Sequence, residues 1–219
     1  MVSTANLYDA VARVGQALSS GTRLKMLELL AQRERPVLEL AAVAGLNVTT
    51  ASAHLQGLRN AGLVVSRRQG RQILYRLAGD DIATLVAQLC AVAETHRPDV
   101  RSELSAALPT DGIRLMDRDE LLAASEAGQI VVVDVRPGDE YAAGHLSGAV
   151  SIPLHELASR LSEIPADVEV VAYCRGRYCV LSHRAVRLLI DHGFDARLAA
   201  DGMLEWRADG VPMTAPATS

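Results

Sequence analysis

The sequence predicts two domains in series. A mainly helical one covers residues 1–97 and an α/β one with a parallel sheet covers 113–219, joined by a connection at 98–112. Three observations predict this. Apolar residues recur at helical spacing through the first half. The second half alternates apolar strands with helices, the pattern of a parallel sheet. Between them, Pro98, Pro109 and an Asp111-Gly112 turn break the periodicity. A chain of 219 residues is long enough for two such domains of about 100 residues each.

The elements follow in order. Leu7, Val11, Val14 and Leu18 stripe a first helix, and Leu24, Leu27 and Leu30 a second, after the Ser20-Gly21-Thr22 break. Pro36 opens a third helix and Gly45 closes it. Asn47 caps a fourth, whose Val48, Ala51, Leu55 and Leu58 face inward and which Gly62 ends. Val64–Arg68 and Arg71–Leu77 read as a hairpin about Gln69-Gly70. Ile82, Leu85, Val86, Leu89 and Ala93 stripe a fifth helix running to about Arg97, and the connection holds a short helix from Asp99 to Leu108. Beyond it, Asp117 and Glu120 form a capping pair before strand Ile130–Val135. A short strand Ala149–Ile152, a helix around Leu154–Leu161, a buried strand Val168–Tyr173 and a helix ending near Gly193 complete the pattern.

The composition, 49% apolar and 22% charged, excludes a disordered chain. No stretch reaches the roughly 18 apolar residues of a membrane span, and the first residues lack a secretory pattern. A cytoplasmic protein with no membrane partner is expected, and three scattered cysteines do not make a disulfide scaffold. The net charge of -4 hides an asymmetry: residues 1–97 carry 11 Lys+Arg against 7 Asp+Glu, whereas 98–219 carry 11 against 19. From Leu40 to Gly79 there is no acid but there are five arginines, a pattern suited to a polyanion.

Two helices, a tight turn, a capped helix with a polar outer face and a basic hairpin describe a winged helix-turn-helix. Its fourth helix turns Thr49, Thr50, Ser52, His54, Gln56 and Arg59 outward, groups that reach base edges and phosphates. Arg67, Arg68 and Arg71 flank the hairpin tip, within reach of neighbouring phosphates. Residues Tyr8 to Leu77, above all the run Thr49 to Val64 and Ser66-Arg-Arg-Gln-Gly70-Arg71, resemble the ArsR/SmtB family of bacterial repressors. The resemblance implies a homodimer, double-stranded operator DNA as partner and the fourth helix in the major groove. It departs from the metal-sensing members. The third helix lacks their Cys-x-Cys pair, and Asp80, Asp81, Glu94 and His96 are an incomplete set for the alternative site. Neither a metal nor another cofactor is expected. Cys90 reads as packing on the fifth helix.

In the second half, Tyr173-Cys174-Arg175-Gly176-Arg177-Tyr178-Cys179 joins a buried strand to a helix. Amides of such a loop, the helix N-terminus and two arginines would converge on Cys174 and favour its thiolate. Val133-Asp134-Val135-Arg136, Glu140 to Ala149 with Gly144-His145, the Cys174 loop and Asp201-Gly202-Met203-Leu204-Glu205-Trp206 together resemble a single rhodanese domain. That resemblance makes Cys174 the sulfur acceptor, the loop residues Arg175, Gly176, Arg177 and Tyr178 the substrate contacts, and Asp134, Arg136 and His145 scaffold. Related phosphatases need arginine at position 180, which is Val180 here. Common rhodaneses often carry Arg or Lys where this chain has Cys179, a second thiol that can trap the first in a disulfide or sulfur bridge.

Three functions fit the combination: a DNA-binding regulator sensing a sulfane-sulfur donor or oxidant through Cys174 and Cys179, a sulfurtransferase localised or dimerised by its helix-turn-helix, and a repressor responding to a thiophilic ion.

Overall fold

The computed structural model describes residues 4–214, and the chain divides after Val86 into two compact units. The first holds α1 (Thr4–Leu18), α2 (Gly21–Gln32), β1 (Arg35–Pro36), α3 (Val37–Ala44), α4 (Val48–Asn60), β2 (Val64–Gln69), β3 (Gln72–Leu77) and the first turns of α5 (Asp81–His96). The caps follow the residue chemistry. Ser20 Oγ accepts from Arg23 N at 3.5 Å, Asn47 Oδ1 accepts from Thr50 N at 2.8 Å, and Gly45 closes α3 at φ 72°. Met26, Leu27, Leu40, Leu55 and Leu58 form the buried centre. Val48, expected inward, is 41% exposed, because it opens α4 one turn before the buried stripe begins at Ala51.

The hairpin register shifts by one residue from expectation. Gln69 pairs with Gln72, so the loop is Gly70-Arg71. Gly70 has φ 58°, and among the described residues none other than glycine has positive φ, the sign pattern of a type II′ turn. Arg35 and Pro36 add a third strand to β3. Proline tolerates this edge position, where its missing N–H is not needed.

The second unit begins within α5 and continues through α6 (Pro98–Ala107), β4 (Arg114–Met116), α7 (Arg118–Glu126), β5 (Ile130–Asp134), α8 (Gly138–Ala143), β6 (His145–Leu146), β7 (Val150–Ser151), α9 (Leu154–Leu157), β8 (Glu169–Tyr173), α10 (Val180–Asp191), β9 (Ala196–Ala199), α11 (Met203–Ala208) and β10 (Met213–Thr214). Five strands form a parallel sheet in the order β4-β9-β8-β5-β7, and β6 pairs antiparallel with β10. Strand periodicity splits the core in two. Val133, Val170 and Ala172 pack on one face with α10, whereas Val132, Val171 and Tyr173 pack on the other with Trp206. Burial on both faces explains why β5 and β8 read as unbroken apolar runs. The chain leaves β5 toward β7 on one side and later β8 toward β9 on the other. The crevice between the carboxyl ends of β5 and β8 is therefore the place where such sheets hold ligands, and Cys174 follows β8 directly.

Candidate functional site

In the first unit, α4 exposes Thr49, Ser52, Gln56 and Arg59 and leaves Thr50 and His54 half-buried. Gln56 Nε2 donates to Asn60 Oδ1 at 2.7 Å, one turn along the same face. Among the described residues Arg59 and Arg71 have no ion pair, and Arg68 Nε donates to the Gly70 carbonyl at 3.0 Å. Arg67 differs: Glu34, just outside the acid-free stretch in sequence, grips it at 2.9 and 3.0 Å. One of the candidate phosphate contacts is thus neutralised by an acid from the preceding strand region, which a count along the chain does not reveal.

In the second unit, Cys174 and Cys179 are joined in a disulfide across the loop, with an S–S distance of 2.06 Å. Both are buried. Cys174 follows the last residue of β8, and Cys179 is the N-cap residue of α10. The loop amides are partly spent elsewhere. Cys179 N donates to Gly176 O at 3.0 Å, and Arg177 N to Glu205 Oε1 at 3.4 Å. In this disulfide-bonded form those two amides do not form the expected nest around Cys174.

The expectation of free arginine charge also meets a correction. Arg175 is clamped by the fully buried Glu140, with Nη2 2.6 Å from Oε1. Arg177 is shared by Asp201 at 2.6 Å, Glu94 at 3.1 Å and Glu205 at 3.7 Å. Burial opposes the Arg177 charge, but the three carboxylates outweigh it and hold the guanidinium's pKa above its usual value. A partly buried arginine requires such partners. That requirement was the signal from which Glu94, Glu140, Asp201 and Glu205 could have been sought in the sequence. Burial raises the pKa of Glu205 against the hydrogen bonds from Gly202 N and Arg177. Burial also raises that of Tyr178, followed by its contacts with Glu94 and Cys90 on α5.

The predicted loop residues therefore divide. Cys174, Gly176 and Arg177 line a pocket of about 320 Å³, which is also walled by Leu104 and Leu108 from α6 and its end. Arg175 turns to a separate cavity of about 690 Å³ beside Arg184 and Leu154. Tyr178 is 40% exposed and reaches α5. No three His, Cys, Asp or Glu side chains converge as a metal site among the described residues.

The Asp201–Trp206 segment backs the loop. Met203 N donates to Cys174 O at 3.1 Å and Leu204 N to Arg175 O at 2.8 Å. A Cβ at Gly202 would fall 2.6 Å from Gly176 N and 2.7 Å from Cys174 O, so only glycine permits this approach. Gly202→Ala is expected to lower stability by about 1–3 kcal/mol through backbone overpacking, read as an earlier urea midpoint by Trp206 fluorescence. Asp134, Arg136 and His145 stay in the scaffold. Asp134 and Arg136 form a fully buried pair at 2.6 Å, and His145 stacks on Tyr141 with ring centroids 3.7 Å apart.

Comparison with known proteins agrees with both halves. The profile of the bacterial regulatory protein arsR family matches residues 20–66, and that of the rhodanese-like domain matches residues 117–209. The HTH-type transcriptional regulator Rv0324 of Mycobacterium tuberculosis is 50% identical over 211 residues, 95% of this chain and 92% of its own. A sulfurtransferase of Allochromatium vinosum is 33% identical over 93 residues, 42% of this chain and 85% of its own. A solution structure of a homodimeric winged helix-turn-helix DNA-binding domain from Mycobacterium bovis is 48% identical, covering 45% of this chain and 95% of that one, with TM-score 0.41. The chain belongs to the arsR family of bacterial regulatory proteins, as a transcriptional regulator that carries a C-terminal rhodanese-like domain.

Proposed function

We propose that this regulator senses reactive sulfur through Cys174 and Cys179 and changes its affinity for operator DNA when their bonding changes. The observation that carries the reading is the pairing of the two thiols within one loop at the carboxyl end of the sheet. In the reduced protein Cys174 takes up a sulfane sulfur, and Cys179 attacks or shares it to close a di- or polysulfide link. Closing or opening that link reshapes a loop whose Arg177 and Tyr178 touch Glu94 and Cys90 of α5. That helix runs unbroken from Asp81 to His96 and is the segment by which the two units are joined in sequence. A tenfold change in DNA affinity needs a preference of only about 1.4 kcal/mol between the loop states.

The DNA-reading surface is the outer face of α4, with Thr49, Thr50, Ser52, His54, Gln56 and Arg59, together with Arg68 and Arg71 at the hairpin, while Arg67 is held by Glu34. The protein acts as a homodimer, and α1 supports this by leaving Leu7, Tyr8 and Val11 between 57% and 78% exposed. Affinity is expected to fall about tenfold or more between low and physiological salt if several phosphates are contacted. Arg68→Ala and Arg71→Ala should weaken binding to all sequences, whereas Gln56→Ala should mainly relax base preference. A salt-independent complex contradicts this assignment.

The sensing step is tested by intact mass spectrometry after polysulfide treatment, coupled to a gel shift on the upstream DNA of the gene itself. Sulfur uptake with no change in the gel shift would favour a sulfurtransferase whose helix-turn-helix only localises or dimerises it.

A further inference from the structure

The pocket beside Cys174 suits an uncharged molecule better than an anion. Its charged lining is Glu94, Asp201 and Arg177, and the single guanidinium is already shared by both carboxylates. His183 also lines it, and burial, with a smaller push from Arg187, lowers its pKa against the hydrogen bond to the Cys179 carbonyl and favours the neutral ring. With Nδ1 3.3 Å from the Cys179 carbonyl, which can only accept, the proton sits on Nδ1 and Nε2 is the acceptor. The two disulfide sulfurs are not equivalent. Cys174 belongs to the pocket wall, whereas Cys179 is the N-cap residue of the twelve-residue α10. A thiolate at Cys179 would lie at the positive end of that helix, which lowers its pKa and makes it the better leaving group.

We propose that the disulfide-bonded loop is itself the receptor for hydrogen sulfide, which enters this pocket uncharged and opens the Cys174–Cys179 bond at Cys174. The step balances. Hydrogen sulfide gives one proton to His183 Nε2 as its sulfur bonds to Cys174 Sγ. The bond to Cys179 breaks, and its electron pair leaves with Cys179 as a thiolate. The product is a hydropersulfide on Cys174. The incoming sulfur is oxidised as Cys179 is reduced, so the disulfide is the oxidant and no other is needed. The proposal rests on Cys174 and Cys179 being the sulfur-handling pair, and it makes the oxidised loop the sulfide-responsive state.

The test treats the full-length oxidised protein with sodium sulfide, blocks thiols by alkylation and maps the peptides. A gain of one hydrogen sulfide per chain is expected, with the persulfide on Cys174 and a free thiol on Cys179. Sulfite, an anionic nucleophile that cleaves accessible disulfides, should react at least about tenfold more slowly, because the carboxylates repel it. The double variant Glu94→Gln/Asp201→Asn should narrow that gap severalfold. His183→Gln should slow sulfide addition about tenfold or more, while reduction by an uncharged phosphine, which brings no proton to be accepted, stays unchanged. A persulfide on Cys179, no adduct, or sulfite as fast as sulfide overturns the proposal. If the reduced protein loads from polysulfide and alters DNA binding but the oxidised form takes no sulfide, this proposal fails and the sensor reading stands. Sulfide addition at Cys174 with no change in DNA affinity does the reverse.

Discussion

Cys174→Ser is expected to abolish both sulfur uptake and the change in DNA affinity on polysulfide treatment. Serine removes the sulfur of a residue that lines the pocket, and it cannot form a persulfide or a disulfide. Cys179→Ser should still form a persulfide on Cys174 but respond weakly or not at all, because the link across the loop cannot close. Cys90→Ser keeps a hydrogen-bonding group beside Tyr178 and should behave as the parent. The two loop variants are matched controls for stability: each loses a bridge of sequence separation 5, worth about 2 kcal/mol by chain entropy. A difference between them therefore reports sulfur chemistry and not unfolding. Persulfide on intact protein is read by mass and DNA affinity by gel shift. If Cys174→Ser still responds normally, the pair is not the sensor, and the localised-sulfurtransferase alternative moves ahead.

The parts legible in the sequence are those where local pattern and tertiary structure agree. Asn47, Asp117 and Gly45 cap helices where their side chains, or for Gly45 the missing one, satisfy the backbone, and β5 and β8 announce their burial by composition. The short strands β1, β6, β9 and β10, of two to four residues, carry no usable period and exist because a neighbour pairs with them. The cysteine pair was legible because chemistry and spacing lie within one loop. The fate of its arginines was not. Glu94, Glu140 and Asp201 lie 83, 35 and 24 residues from the arginines they hold, and only the fold brings them there. The sequence suggests an electropositive loop, but the structure has a neutralised one.

Asp134→Ala should have the largest effect on stability. Asp134 and Arg136 are fully buried, and the carboxylate takes Arg136 Nε at 3.0 Å, Arg136 Nη2 at 2.6 Å and the Tyr173 hydroxyl at 2.6 Å. Arg136 Nη2 also donates to Gly144 O at 2.8 Å, and Tyr173 Oη accepts from Leu146 N at 3.2 Å, so the group ties β5 and β8 to β6. Alanine takes from a buried guanidinium the carboxylate that grips it, at about 3–5 kcal/mol. That is a large share of the about 5–15 kcal/mol that holds a domain together. Tyr173→Phe, which removes one neutral partner, should cost only about 1–2 kcal/mol. The double change Asp134→Leu/Arg136→Met should recover much of the loss, since it removes both charges together. Trp206, the single tryptophan, is buried 4.8 Å from the Tyr173 ring and reports urea unfolding of the second unit. Asp134→Ala should therefore also silence the sulfur response, but with a collapsed midpoint. Cys174→Ser should silence it with a midpoint equal to that of Cys179→Ser. An unchanged midpoint in Asp134→Ala would show that the buried pair contributes nothing to the fold around the loop.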